Sequence, residues 1–319
     1  MRRWPVGTIM KSLFAVAVVV GVGSYFSKIL LDPKLNAESY TLRWGWLFAA
    51  GLLYLTAHTI WGTFWWQLLR NQGAKVRWGP SLRAYFISQL GKYVPGKIWV
   101  IVMRVGLLGG NVPRRVVIVT GIYETLTSMA AGATLGAALF PYLTGGQSVL
   151  QGGTLALGGI AAVPFLAALV NKLAARMADK RQDPDAPTIP APPVWLLALG
   201  LLQASVGWCL LAVSLRCVMM GVIPLPPAWT SSSFVQDLAV TTIMYVAGFV
   251  VIFAPGGVGA RELILQQALV PVLRSTSADA AEGLAAIVAI VVRVVWTFAE
   301  LFMIGLLGWR KGVSRDRAD

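Results

Sequence analysis

SSFVQDLAVTTIMYVAGFVVIFAPGGVGARELILQQALVPV, residues 232–272, is a long apolar run broken once, at Ala254-Pro255-Gly256-Gly257. Proline removes an amide donor and clashes with the preceding helical turn, and glycine admits positive φ, so the break reads as two half-helices meeting at a turn. A second run, residues 80–108, breaks the same way at Val94-Pro95-Gly96. Around these lie continuous apolar stretches near residues 8–30, 44–67, 115–140, 149–172, 194–216 and 281–309. Each reaches the roughly 20 residues that a helix needs to cross a bilayer. The expected fold is an all-α polytopic membrane protein with about six spanning helices and two re-entrant hairpins.

Composition excludes the main alternatives. The 319 residues are 57% hydrophobic and 13% charged, with a mean hydropathy of +0.70, whereas soluble domains run about 45–50% apolar and about 25% charged. Uninterrupted apolar stretches also exclude an outer-membrane barrel, whose strands alternate. A net charge of +14 would suggest nucleic acid in a soluble protein. Here the cations cluster between apolar runs: Arg2, Arg3 and Lys11; Arg70, Lys75, Arg77 and Arg83; Arg114 and Arg115; Lys172, Arg176, Lys180 and Arg181; Arg310, Lys311, Arg315 and Arg317. With both interrupted runs taken as hairpins, these clusters fall on one side, which the positive-inside rule assigns to the cytoplasm together with both termini. The implied location is the cytoplasmic (inner) membrane. A layout in which residues 232–253 span fully stays open at this level. The N-terminal basic-then-apolar segment lacks a small-x-small cleavage site and reads as a first span.

Pro95 and Pro255 stand 160 positions apart, at corresponding places in two halves. The expected organisation is a first membrane repeat, residues 1–145 with hairpin 80–108, and a second, 146–319 with hairpin 232–272. An odd number of spans per half inverts the second repeat, and paired interrupted segments in an inverted repeat point to a transport site near the midplane. Residues 173–193, charged and then proline-rich, read as a cytoplasmic linker. Gly132 and Gly136 read as a packing face. Trp61, Phe64, Trp65 and Trp66 read as an interfacial belt. His58 reads as a packed core histidine. Cys209 and Cys217, about 12 Å apart along one helix, are too distant for a disulfide. No metal-ligand cluster is recognisable, and no cofactor is expected.

The first hairpin tip, GKYVPGKIW at residues 91–99, contains G-x-x-x-x-G-K but is a decoy for a nucleotide loop. Ile98 stands where the magnesium-binding hydroxyl belongs, and no strand precedes it. Physically the tip reads as an anion site. A half-helix starts after Pro95 and Gly96 with unpaired amides and a positive dipole, flanked by Lys92 and Lys97, with Arg104 seven residues beyond Lys97. The second tip, with Gly256, Gly257 and Gly259 followed by Arg261 and Glu262, reads likewise. Intramembrane carboxylates are Glu124, Asp237, Glu262 and Glu300. Arg293 and Glu300, seven apart on one helix, read as an ion pair or a proton relay, and Glu124 as a group answering a basic tip or taking a proton.

QLGKYVPGKIW with Arg104, together with FAPGGVGARE at residues 253–262, resembles the flippase-like integral membrane family named for the transmembrane region of lysylphosphatidylglycerol synthase. The resemblance covers essentially the whole chain, as a stand-alone member without the synthase domain. It implies movement of a polar-headed lipid between leaflets. By position it gives functional weight to Lys92, Pro95, Gly96, Lys97, Arg104, Pro255, Gly256, Gly257, Gly259, Arg261 and Glu262. The expected function is a flippase for an anionic lipid, a phospholipid or a polyprenyl-phosphate-linked sugar, with no nucleotide and no nucleic acid as partner. Two other readings stand beside it: a membrane-embedded lipid-phosphate transferase or phosphatase, and a non-catalytic partner of a glycosyltransferase. A homo-oligomer is a further partner expectation.

Overall fold

The computed structural model describes residues 40–94, 98–108, 110, 112–144, 189–250, 259–274 and 280–315. Among them are eight α-helices: α1 (Trp44–Asn71), α2 (Trp78–Ser88), α3 (Trp99–Leu108), α4 (Arg114–Thr144), α5 (Val194–Val222), α6 (Ser231–Val250), α7 (Ala260–Arg274) and α8 (Ala281–Arg315). A 3-10 turn, Gln89–Tyr93, extends α2. Helices α1, α4, α5 and α8 are long and apolar enough to cross a membrane. They coincide with four of the expected spans; those near 8–30 and 149–172 lie outside the described residues, as does linker 173–188. The fold is therefore all-α and polytopic.

Both expected breaks separate helices. Arms α2 and α3, of 11 and 10 residues, are about 16 and 15 Å long at 1.5 Å per residue, half of a roughly 30 Å hydrocarbon core. Arms α6 and α7 have 20 and 15 residues, or about 30 and 22 Å. Length alone thus leaves α6 able to cross. The turn residues Pro95, Gly96 and Lys97, and Pro255, Gly256 and Gly257, lie outside the described residues. The arms of each hairpin pack on one another.

Local chemistry sets the helix ends. Helix α1 stops at Gly73, whose φ of +76° only glycine adopts without strain. The Gly73 N–H donates to the Arg70 carbonyl at 3.0 Å and the Ala74 N–H to that of Leu69 at 3.1 Å, a Schellman closure. The chain then turns directly into α2.

The core is aromatic and glycine-notched. The side of α5 facing α1 carries Gly200 and Gly207, where a Cβ would stand 2.2 Å from Phe64 and 2.2 Å from Trp61 respectively. Without side chains at these two positions, the rings lie against the α5 backbone. Gly132 likewise admits Trp208 and Gly136 admits Ile243, so the expected packing face is present. His58 is buried, with Nδ1 3.1 Å from the Tyr54 carbonyl. Cys209 and Cys217 are unpaired by any disulfide.

The interfacial-belt reading is corrected. Trp61, Phe64 and Trp65 are core residues, at most 4% exposed. The tryptophan indole N–H groups find internal acceptors: Trp61 donates to the Ala204 carbonyl at 3.3 Å, Trp65 to Thr120 Oγ1 at 3.2 Å and the partly buried Trp66 to the Val76 carbonyl at 3.1 Å. A buried indole with an internal acceptor loses the reason to sit at the headgroup level.

The main helix contacts have an internal regularity. Exchanging α1, α2, α3 and α4 for α5, α6, α7 and α8 turns every contacting helix pair into another contacting pair; for example α4 on α6 becomes α8 on α2.

Candidate functional site

Residues beside the two breaks, Lys92 and Tyr93 at the first and Glu262 at the second, reach one face of α8, which presents Arg293, Trp296, Thr297 and Glu300 at helical spacing. At the first tip the returning helix passes over Gly91: a Cβ there would meet the backbone of Trp99 and Val100 at 2.5–2.8 Å. This crossing carries the neighbouring Lys92 and Tyr93 to Glu300. The Glu300 carboxylate is 1% exposed. It is bonded by Lys92 Nζ and the Tyr54 hydroxyl, and by the Tyr93 hydroxyl at 2.9 Å. Tyr93 also reaches Thr297 Oγ1 at 3.3 Å. Three donors thus converge on one buried carboxylate.

Arg104 is 1% exposed and is enclosed from all sides. Its Nη1 donates to Glu124 Oε2 at 2.9 Å and its Nε to Ser88 Oγ at 3.4 Å. Its guanidinium lies 4.5 Å from the ring centre of Trp65 and 4.8 Å from that of Tyr85. Glu124 does answer a basic residue of the first hairpin, as expected, but in a closed pair. The described cations of the first hairpin, Lys92 and Arg104, are each answered by a carboxylate of another helix, Glu300 of α8 and Glu124 of α4.

The second tip is built differently. Gly259, at φ +93°, is the N-cap of α7, and its N–H donates to Glu262 Oε2 at 2.6 Å. Glu262 therefore occupies the N3 position of a capping box. Of the amides expected to be free for an anion at this helix start, that of Gly259 is taken up by the chain's own carboxylate. The other oxygen, Oε1, lies 3.7 Å from Arg293 Nε. Arg261 stacks on Tyr245 with its guanidinium carbon 3.7 Å from the ring centre, and its buried Nε has no hydrogen-bond partner. Gly248 makes that position possible, since a Cβ there would stand 2.5 Å from Arg261 Cγ and 2.6 Å from its Nε. A small, partly open cleft lies here, walled by Arg261, Glu262 and Arg293 and otherwise by Met244, Leu265, Ala289, Val292 and Trp296.

Arg293 joins the tips, facing Glu262 on one side and lying 5.9 Å from the Tyr93 ring centre on the other. The expected Arg293–Glu300 pair is thus replaced by two tertiary pairs. Seven residues separate the two Cα atoms by about 10 Å along the helix, and partners from the hairpin tips are nearer.

Asp237 does not join the site. It pairs with Arg216 at 2.7 Å, about 12 Å along α6 from Tyr245. Arg216 also donates to the Pro227 and Ser233 carbonyls at 3.4 and 3.5 Å, which fastens the loop between α5 and α6. Of the residues singled out from the sequence, Lys92, Gly259, Arg261, Glu262, Arg293 and Glu300 come together, and Arg104 with Glu124 lies beside them. Tyr54, Tyr93, Tyr245, Trp296 and Thr297 escaped sequence reasoning. One signal was available for the tyrosines: Tyr85 and Tyr245 are 160 positions apart, the offset of the two prolines, and each lies beneath an arginine of the returning arm.

Spanning helices, broken apolar hairpins and buried charge define a multi-pass helical membrane protein with a polar site between hairpin tips. The family model for the lysylphosphatidylglycerol synthase transmembrane region matches residues 12–308, and the chain belongs to that family. No curated protein matches it.

Proposed function

We propose that this protein moves an anionic lipid between the leaflets of the cytoplasmic membrane, with both termini on the cytoplasmic side. The observation that carries this reading is the convergence of two proline–glycine-broken hairpins on the polar face of α8. Charge at the bilayer centre costs about 2.5–3.5 kcal/mol per residue on insertion scales, and Arg261 and Arg293, inside apolar segments and beside an open cleft, are the cations placed to line a polar path. Family membership supports lipid handling. Headgroup and phosphate would pass along the face formed by Arg261, Arg293 and Tyr93 while the acyl chains stay in hydrocarbon. The division into repeats 1–145 and 146–319, the second inverted, is part of the proposal; the exchange regularity of the helix contacts supports it. An enzymatic reading requires a carboxylate available as general base, whereas Glu124, Glu262 and Glu300 each already accept from a cation or an N–H group.

The test is leaflet accessibility of a fluorescent anionic phospholipid in proteoliposomes, wild type against Arg261→Ala. Movement abolished by the substitution supports the reading. Product formed from labelled lipid in detergent, where transfer between leaflets has no meaning, would replace it with the transferase or phosphatase reading.

A further inference from the structure

The two tips carry similar residues but differ in charge balance among the described residues. At the first, Lys92 meets Glu300 and Arg104 meets Glu124. At the second, the cleft wall holds two cations, Arg261 and Arg293, and one carboxylate, Glu262. Glu262 answers Arg293 and the Gly259 N–H. The guanidinium of Arg261 is answered among the described residues only by the face of Tyr245, with its Nε unbonded. Stacking occupies a face of a guanidinium and leaves its edge donors for an oxyanion. Among the described residues the wall therefore carries a single uncompensated positive charge, in surroundings that are otherwise apolar.

We infer that Glu262 is the specificity-determining residue of this cleft: by holding the wall at one net positive charge it admits a lipid phosphate bearing one negative charge, a phosphodiester, and rejects a doubly charged phosphomonoester. This deepens the lipid reading above and rests on it. A monoanion leaves the cleft neutral. A dianion leaves one charge unpaired at membrane depth, where unpaired charge is penalised most. The same carboxylate repels the second phosphate charge directly. Tyr245 and Gly248 are positioning residues, one stacking under the guanidinium and the other leaving room for its stem.

The experiment measures equilibrium binding to the purified full chain in detergent at pH 8.5, with dioleoyl phosphatidylmethanol and dioleoyl phosphatidic acid. These differ by one methyl group and one charge, since a phosphomonoester has a second pKa near 6. Dioleoylglycerol serves as the uncharged reference and dimethyl phosphate as the chain-free anion. Wild type is expected to prefer phosphatidylmethanol over phosphatidic acid by about tenfold or more. Glu262→Gln, which retains an N3 capping group, is expected to lose or invert that preference. Gly248→Ala, which displaces Arg261 without removing charge, is expected to weaken both lipids by about tenfold. Equal or inverted preference in wild type would overturn the inference without needing any variant. Binding of dimethyl phosphate as tight as that of the lipid would overturn the lipid assignment. The flippase reading fails separately: monoanion preference without movement in proteoliposomes sinks transport and leaves the cleft's selectivity standing, while movement of both lipids at equal rates does the reverse.

Discussion

Breaking the Arg104–Glu124 pair from either side should cost far more than removing it whole. Both residues are at most 4% exposed and their charged atoms are 2.9 Å apart. Glu124→Leu leaves a guanidinium buried between Trp65 and Tyr85 with, among the described residues, only Ser88 Oγ, at 3.4 Å, as a polar contact. Arg104→Met leaves a carboxylate with, among the described residues, only Thr125 Oγ1, also at 3.4 Å. Removing one partner of a buried pair costs about 3–5 kcal/mol, whereas exchanging both for apolar residues of similar volume is often neutral or stabilising. Each single variant is therefore expected to lose about 3–5 kcal/mol. The double variant Arg104→Met/Glu124→Leu should lie within about 1–2 kcal/mol of wild type, the remainder reflecting lost stacking of Arg104 on two rings. The coupling energy in the cycle is then several kcal/mol, well beyond the tenths expected of independent sites. The assay is reversible unfolding in mixed SDS and non-ionic micelles, followed by tryptophan fluorescence on all four proteins. Additive losses, with the double variant as unstable as the sum of the singles, would refute the claim that each charge is there to answer the other.

Three more expectations follow from particular contacts. Gly200→Ala and Gly207→Ala each force a Cβ to 2.2 Å from a ring of α1, and each should cost about 1–3 kcal/mol by overpacking in the same unfolding assay. Lys92→Met should destabilise more than Glu300→Leu, because it leaves a carboxylate that is 1% exposed without its counter-ion, whereas the half-buried Lys92 left by Glu300→Leu can rehydrate. In a background lacking Cys209 and Cys217, single cysteines at the exposed positions Lys75 and Arg114 should react with an impermeant maleimide from one side of the membrane, and those at Ser231 and Arg274 from the other. Labelling of Lys75 and Arg114 from opposite sides would eliminate the first re-entrant hairpin.

Much of the architecture was legible in the residues themselves. Helices α1, α4, α5 and α8 follow the apolar runs, because a backbone in hydrocarbon must satisfy its own hydrogen bonds. The positions of the hairpin breaks follow from the chemistry of Pro95 and Pro255, which acts over a turn or two and needs no tertiary partner. Capping, too, is local: Gly259 and Glu262 stand at the spacing of N-cap and N3, so the carboxylate that closes α7 was visible to anyone asking what satisfies that helix start.

Pairing was decided elsewhere. Arg293 and Glu300 share a helix face, yet one meets Glu262 and the other Lys92, since electrostatic partners are chosen by distance in space. Trp61, Phe64 and Trp65 have the composition of an interfacial belt, and only the glycine-notched surface of α5 sends them inward. The matched motifs likewise suggest equivalent tips. Packing closes the first around Glu300 and Glu124 and leaves Arg261 of the second facing a cleft. Periodicity and proline chemistry fix helices because they operate between near neighbours in the chain. Which charge is spent on structure and which remains for a ligand depends on residues more than 200 positions apart, such as Lys92 and Glu300, and so belongs to the tertiary fold alone.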